Sequence, residues 1–259
     1  MSTDLTDAVL FRLTSEAFLT YLGHADSFEF TMQAGCASAL SGTPVADLNY
    51  VVAGPGGGDG QRFADVCEPL VARALPFLAV VFPEAATHTE GPAARLGLEH
   101  VVDFPFMVRD DAPIEPAGSE IVTVRRAVGP DGAEANVRVL SSAFSMPEEA
   151  SRATFPPALL EAPNVDVFLA WLDGRVVGTV TMIRQGEATG VWSMGTDPAH
   201  QRSGIGRRLL STAIAEARLQ GAKRFYLGAT PAGFPLYESL GFTTRTVTKV
   251  WASGETHQA

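Results

Sequence analysis

Two glycines, Gly204 and Gly206, stand where an apolar helical pattern begins, in the stretch HQRSGIGRRLL at 200–210. From Ile205 onward Leu209, Leu210, Ala213, Ile214 and Ala217 recur at helical spacing, and the run stops at Gly221, a C-terminal cap. The first turn of a helix leaves backbone N–H groups without intrahelical partners and carries the positive end of the macrodipole. With Cβ atoms removed from that turn, the backbone can meet a phosphate closely. Arg202, Arg207 and Arg208 add positive charge around it. Three phosphate-binding patterns compete for this stretch. The dinucleotide fingerprint GxGxxG fails because Leu209 stands at its third glycine, and the P-loop pattern GxxxxGK[ST] is absent both here and in GPGGGDGQ at 54–61. What remains is QxxGxG, formed by Gln201, Gly204 and Gly206.

The elements that must position this loop follow from periodicity and turn chemistry. A strand is expected over 121–128, a helix over 133–144, and a second helical region over 147–160, interrupted by Pro156 and Pro157. VDVFLAWL and RVVGTVTMI flank Asp173-Gly174, whose tolerance of positive φ suits a tight hairpin. The strand TGVWSMGT leads through Asp197-Pro198 into the glycine-started helix. RFYLGAT then makes a strand ending at Thr230, PLYESL a short helix and FTTRTVTKVWA a closing strand. An antiparallel meander joined to a strand–helix–strand crossover is an α+β class with a mixed sheet flanked by helices.

Part of this plan recurs earlier. ADLNYVVAG, RFADVCEPLVARAL and PFLAVVFP read as strand, helix and strand, and Leu96-Gly97-Leu98 precedes Leu240-Gly241-Phe242 by 144 residues. Ala93 stands where the later copy has Tyr237. The Pro-, Asp- and Gly-rich stretch 110–120 reads as a linker, so two domains of the same mixed-sheet type are expected, 1–115 and 116–259.

Composition narrows the function. A net charge of −10 argues against a nucleic-acid binder. Residues 1–118 carry −11 and residues 119–259 carry +1, so the acidic first half could attract a cationic ligand or simply confer solubility. No apolar run is long enough to span a membrane, and acids stand near the N-terminus where a signal peptide has basic residues, which points to the cytoplasm. Cys36 and Cys67 share neither CxxC spacing nor a histidine cluster, which points to buried free thiols and to no metal site.

The QxxGxG loop, preceded by a strand and Thr196-Asp197-Pro198 and followed at the end of the chain by LYESLGF at 236–242, resembles the acetyl-CoA pyrophosphate loop and terminal motif of the GNAT superfamily of N-acetyltransferases. The resemblance covers roughly residues 121–251, with the first half as a degenerate copy. It implies a V-shaped gap between the strands ending at Thr196 and Thr230, in which acetyl-CoA lies as co-substrate and no metal is required. Pantetheine would pair with backbone groups of Met194 and Thr196, and a backbone N–H of that strand would stabilise the oxyanion. The pyrophosphate would meet the N–H groups of Arg202, Ser203, Gly204, Ile205, Gly206 and Arg207, with Arg208 also within reach. Tyr237 would hydrogen-bond or protonate the departing thiolate. Two positions depart from the family pattern, Thr230 in place of an asparagine and Gly233 in place of an alanine.

The implied reaction is acetyl transfer to a primary amine of a small molecule or peptide by direct attack on the thioester. An amine that is cationic at neutral pH must lose a proton, so a base is expected, with Glu187 and Glu149 as topological candidates. Phe144, Met146 and Phe155 are candidates for the acceptor pocket or for packing, and His200 reads as a surface residue. The rival reading is a non-catalytic acyl-CoA sensor or regulatory module. Monomer and homodimer both remain open.

Overall fold

The computed structural model describes residues 4–57 and 60–254. The chain forms two compact units that are not contiguous in sequence. The first takes residues up to 106, 228–230 and those from 244 on; the second takes 107–227 and 231–243.

In the first unit, α1 (Asp7–Leu22) and the hairpin β1 (Glu29–Gln33) and β2 (Cys36–Leu40) precede β3 (Asn49–Ala53), α2 (Gln61–Ala72), β4 (Phe77–Val81), α3 (Pro83–Arg95) and β5 (Glu99–Asp110). The strand order is β1-β2-β3-β4-β11-β5, where β11 (Thr243–Ser253) is the last strand of the chain. The expected break near 115 assigned that strand to the second half. Instead β11 pairs antiparallel with β4, from Lys249 opposite Val81 to Ser253 opposite Phe77. Helix α2 packs on one face of the sheet because Phe63, Val66, Cys67 and Leu70 recur at helical spacing and meet Val51, Ala53, Phe77, Ala79 and Val81. Alternate residues face the other way, where Phe18 of α1 stacks on Tyr50 with ring centroids 4.1 Å apart. Both cysteines are buried free thiols in this core. α1, β1 and β2 lie outside the expected pattern for a physical reason. The buried face of α1 includes Thr14 and Ser15, β2 is uniformly buried CASAL, and β1 is mostly exposed, so none shows a clean period.

The second unit contains β6 (Thr123–Arg126), α4 (Gly129–Phe144), α5 (Glu148–Thr154), β7 (Val165–Leu172), β8 (Arg175–Gln185), β9 (Ala188–Thr196), α6 (Ile205–Leu219), β10 (Arg224–Gly228) and α7 (Phe234–Ser239). The order β10-β9-β8-β7-β6 is antiparallel throughout except for the parallel pair β9 and β10. Asp173 and Gly174, at φ +48° and +76°, turn the β7–β8 hairpin as their residue types require. α4 begins four residues before its expected start because Pro130 fits the first helical turn. The prolines divide the second helical region into α5 and a 3₁₀ turn at Pro157–Glu161. α4 and α6 cover opposite faces of the sheet. The Thr179 hydroxyl donates to Asn136 Oδ1 of α4 at 2.6 Å, whereas a Cβ on the adjacent Gly178 would lie 3.4 Å from Ile205 Cγ2 of α6. Among the described residues, no helix is long and apolar enough to cross a membrane.

Candidate active site

The gap begins where a strand pair stops pairing. Ala188, Thr189 and Gly190 lie opposite Arg224, Phe225 and Tyr226, yet β9 continues for six more residues. On its other side the ladder with β8 slips. Thr181 faces Trp192 and Thr179 faces Gly195, which leaves Ser193 and Met194 together opposite Val180. Ser193 takes φ +44°, the left-handed region that non-glycine residues rarely enter. Such a bulge bends its strand and increases its twist, and this one lies three residues beyond the last β9–β10 pair. Consistent with that, Trp192 to Asp197 are all half-buried, although β9 is an interior strand of its sheet. β10 itself ends at Gly228, two residues short of Thr230, which lies half-buried in the following loop.

The loop after β9 is built by side-chain bonds to its own backbone. Asp197 accepts from the Ala199 N–H at 2.9 Å and from Ser142 Oγ of α4 at 3.0 Å, and it faces His200 Nδ1 at 3.4 Å. The Gln201 amide donates to the Thr196 carbonyl at 3.3 Å, and Ser203 Oγ to the His200 carbonyl at 2.5 Å. Arg202 and Gly204 both adopt positive φ, +60° and +82°. Gly204 is the N-cap of α6, with no side-chain cap and no acid in the first turn. The first intrahelical bond runs from the Arg208 N–H to the Gly204 carbonyl at 3.1 Å, so the preceding N–H groups depend on other partners. The two glycines therefore have different causes. Gly204 is required by its left-handed backbone. Gly206 is ordinary helix, but a Cβ there would extend toward Leu236 Cδ2, Met194 Cε and Thr196 Oγ1, at 3.2, 3.3 and 3.8 Å, on the side facing the second half of β9.

Arg208, expected at the phosphates, donates instead to the Pro116 carbonyl at 3.0 Å. Arg202 and Arg207 make no hydrogen bond or ion pair among the described residues.

Tyr237 sits on α7, its ring lying over Gly233 and meeting Phe242 edge-on at 6.1 Å. A Cβ at residue 233 would fall 2.8 Å from the ring, so the glycine there gives the tyrosine room to lie back on its own helix. Burial pushes the phenol up to about 12, which keeps it protonated and a hydrogen-bond donor at neutral pH.

The two proposed bases are not brought to this place. Glu187 lies in the turn before β9, at the paired end, six residues or about 20 Å of extended chain from Ser193. Its carboxylate bonds Lys223, which holds it below the usual range. Glu149 is exposed on α5. Met146 and Phe155 are core residues, while Phe144 is half-buried against the strand just past the bulge, 3.1 Å from where a Gly195 Cβ would stand. The bulge went unanticipated in the sequence, where the only signal was a pair of glycines, Gly190 and Gly195, within one strand pattern. Among the described residues, no group of three His, Cys, Asp or Glu side chains could hold a metal ion.

β9 thus stops pairing with β10 after Gly190, bulges at Ser193 and Met194, and feeds a glycine-started helix without a side-chain cap. Residues 136–242 match the acetyltransferase (GNAT) family. That span contains the bulge, the loop and Tyr237. The chain is 32% identical over 165 residues to mycothiol acetyltransferase from Actinosynnema mirum, which covers 59% of this chain and 56% of the relative. It is 37% identical over 71 residues to the ribosomal protein bS18-alanine N-acetyltransferase of Escherichia coli strain K12, 26% of this chain and 47% of the relative. The chain thus spans about half the length of the curated relatives it matches. Among solved structures, a GCN5-related N-acetyltransferase from Kribbella flavida superposes with a TM-score of 0.68 at 19% identity, covering 95% of this chain and 96% of that one, which shows a shared fold. The fold shared with that structure is, in this chain, a mixed sheet flanked by helices.

Proposed function

We propose that this chain is an acyl-CoA-dependent N-acetyltransferase, in which a degenerate GNAT-like copy over 1–115 precedes the working copy. The observation that carries the reading is the coincidence of the Ser193 bulge, the end of β9–β10 pairing and the Cβ-free Gly206 facing Met194 and Thr196. Acetyl-CoA is the co-substrate. Its pantetheine runs beside the free edge of β9 at Met194 and Thr196. Its diphosphate meets the N–H groups from Arg202 to Arg207, where the helix dipole and two unpaired guanidiniums favour an anion. A backbone N–H at the bulge stabilises the oxyanion that forms when the amine attacks the thioester carbonyl.

Tyr237 acts as a hydrogen-bond donor to the leaving thiolate and not as a full proton donor; as the C–S bond breaks, the thiolate takes the proton that the attacking nitrogen sheds. With the phenol near 12 and a thiol near 8.5, complete transfer is uphill by about 5 kcal/mol. Glu187 and Glu149 are not carried into this mechanism, so the amine itself must arrive neutral. At pH 7 that costs about 5 kcal/mol for a lysine-like amine but only about 1 kcal/mol for an α-amine. The acceptor we favour is accordingly an α-amine of a small molecule or peptide, and the site of action the cytoplasm.

The buried, backward-leaning phenol favours a second reading, an acyl-CoA sensor that transfers nothing. Calorimetry with acetyl-CoA, followed by thiol release against a panel of amino acids, polyamines and short peptides, separates the two. Binding with turnover supports the enzyme and binding without turnover supports the sensor. Absence of binding overturns both.

A further inference from the structure

The stretch 110–120 reads in sequence as a linker, but hydrogen bonds tie it to both working parts of the GNAT domain. At one end is Arg109, buried to 6% exposure near the end of β5. Its Nε donates to the Leu240 carbonyl at 2.8 Å, at the C-terminus of α7 and three residues from Tyr237. Its Nη1 and Nη2 donate to the carbonyls of Asp110 and Ala112, at 2.9 and 2.7 Å. The guanidinium thus spends its fork on three carbonyls, and its burial lowers its pKa from the usual value. The segment then runs along α6. Arg218 Nε donates to the Asp111 carbonyl at 2.8 Å, Arg208 Nη1 to the Pro116 carbonyl at 3.0 Å, and the Ala117 N–H to the buried Ser211 hydroxyl at 3.0 Å. It ends on the phosphate loop itself. The Ser119 N–H approaches the Gly204 carbonyl at 3.4 Å, and Gly118, at φ +109°, is so close that a Cβ would fall 2.5 Å from that oxygen and 2.9 Å from the Arg208 nitrogen.

We propose that the 109–119 segment is a strap that sets the two halves of the acyl-CoA site against each other. Arg109 is the positioning residue for the tyrosine helix and Gly118 the positioning residue for the phosphate loop. This rests on the acetyl-CoA reading above. A fork of fixed donors suits the first task because it holds one helix end and the strap together in a single plane, which a lysine ammonium cannot do. Glycine suits the second because only a residue without Cβ reaches that close approach at that φ.

The test separates the two ends. Arg109→Gln should lower kcat roughly ten- to 10²-fold, measured by thiol release with the fastest amine of the panel, while leaving acetyl-CoA affinity within about twofold. Arg109→Lys, which keeps the charge and hydrogen-bond donors but not the planar fork, should recover part of that loss. Gly118→Ala should do the reverse, weakening acetyl-CoA binding about tenfold or more with kcat at saturation largely kept. Hydrogen exchange on the ligand-free protein reads the strap without any activity. Arg109→Gln should speed exchange at Leu240 and Phe242, and Gly118→Ala at Arg208, with the β7–β8 ladder unchanged in both. Should the parent chain fail to bind acetyl-CoA, the functional reading falls while these exchange changes still report on the strap. Losses of kcat and affinity in equal measure for both variants, or unchanged exchange at α7 and α6, would overturn it. If Arg109→Gln does not fold, Arg109→Lys and Gly118→Ala carry the same comparison.

Discussion

The crossovers β3–α2–β4 and β9–α6–β10 begin their helices in the same way and continue differently. Gly60 and Gly204 stand 144 residues apart, both left-handed at φ +84° and +82°, and neither helix has a side-chain cap. Beyond that point they diverge. β3 and β4 stay paired over Tyr50 to Ala53, up to the end of both strands, with no bulge in the register. Where α6 has Gly206, the corresponding position of α2 has Arg62, whose guanidinium donates to the carbonyls of Gly56 and Ala34 at 2.9 and 3.3 Å. The free volume beside Gly35, Gly57, Gly60 and Phe63 is about 10 Å³, room for about one water. Even the shared glycine has a different reason to be there, since a Cβ on Gly60 would fall 2.0 Å from the His88 carbonyl oxygen. A glycine-started helix is thus not a binding site by itself. What distinguishes the second crossover is a strand pair that stops pairing before its strands end and a first turn in which Gly206 faces Met194 and Thr196.

The most direct way to break the comparison is to move the arginine. Gly206→Arg, which installs the residue that α2 carries at the corresponding position, should weaken acetyl-CoA binding by roughly 10³-fold or more, about 4 kcal/mol, because the side chain must occupy the space beside Met194 and Thr196. Arginine is a good helix former, so melting should change little. The reciprocal Arg62→Gly should create no acetyl-CoA binding, since β3 and β4 remain paired. Calorimetry on the two variants decides it, and binding gained in Arg62→Gly would show that the glycine, and not the strand opening, makes the site.

The glycines themselves sharpen the point through stability. Gly60→Ala meets both a left-handed backbone and a carbonyl oxygen 2.0 Å away, and should cost about 2 to 4 kcal/mol of folding stability. Gly206→Ala adds a methyl that meets only the movable ends of Leu236 and Met194, and in a helix it should gain up to about 1 kcal/mol. Denaturant unfolding of both, with acetyl-CoA titrations of the second, should therefore find one glycine kept for packing and the other kept against the interest of stability. Equal destabilisation would remove the functional explanation for Gly206.

Legibility in the sequence followed the same division. Features set by local chemistry were readable: the glycine-started onset of α6, the Asp173-Gly174 hairpin and the apolar runs of the strands it joins. Features set by pairing between distant segments were not. Nothing around Ser193 announces a left-handed residue, because the bulge is a mismatch between β8 and β9 and not a property of either strand alone. β11 reads as the end of the second repeat, yet its partner β4 lies more than 160 residues earlier, and no local pattern encodes that choice. The strap looked like a linker for the same reason. Its Pro, Asp and Gly content reports the lack of regular structure, while its hydrogen bonds to Ser211 and Gly204 depend on where α6 has been placed.

Tyr237 separates the two regions at a second position, since Ala93 stands 144 residues before it. Tyr237→Phe should bind acetyl-CoA as the parent does but turn over roughly ten- to 10²-fold more slowly, the loss of one hydrogen bond to a developing charge. The same variant has a signature in alkali. The folded phenol near 12 lies above the free value near 10, so the folded chain holds that proton more tightly than the unfolded one. Its contribution is complete below pH ~10 and is lost as pH rises through 12, up to roughly 3 kcal/mol. Cys36, raised to about 12 by burial, loses stability over an overlapping range in both proteins, so the difference between parent and variant isolates the tyrosine. Unfolding curves from pH 9 to 11.5 that stay parallel would show the phenol to be less buried than its surroundings imply.

The smallest effect is expected among the arginines beside the loop. Arg207 is half-buried and makes no hydrogen bond or ion pair among the described residues, while its neighbour Arg208 is committed to the Pro116 carbonyl. A partly exposed guanidinium near a diphosphate contributes about 0.5 to 1 kcal/mol, so Arg207→Ala should weaken acetyl-CoA only about two- to fivefold. That loss should shrink as salt is raised, because the Debye length falls from about 8 Å at physiological ionic strength to about 3 Å at 1 M. Arg208→Ala should instead show a loss that persists in high salt, since what it removes is a hydrogen bond to the chain and not a charge on the ligand. Affinities of the two variants at 0.05 and 1 M salt test this, and identical salt slopes would mean that Arg208 leaves its carbonyl to reach the phosphates when acetyl-CoA binds.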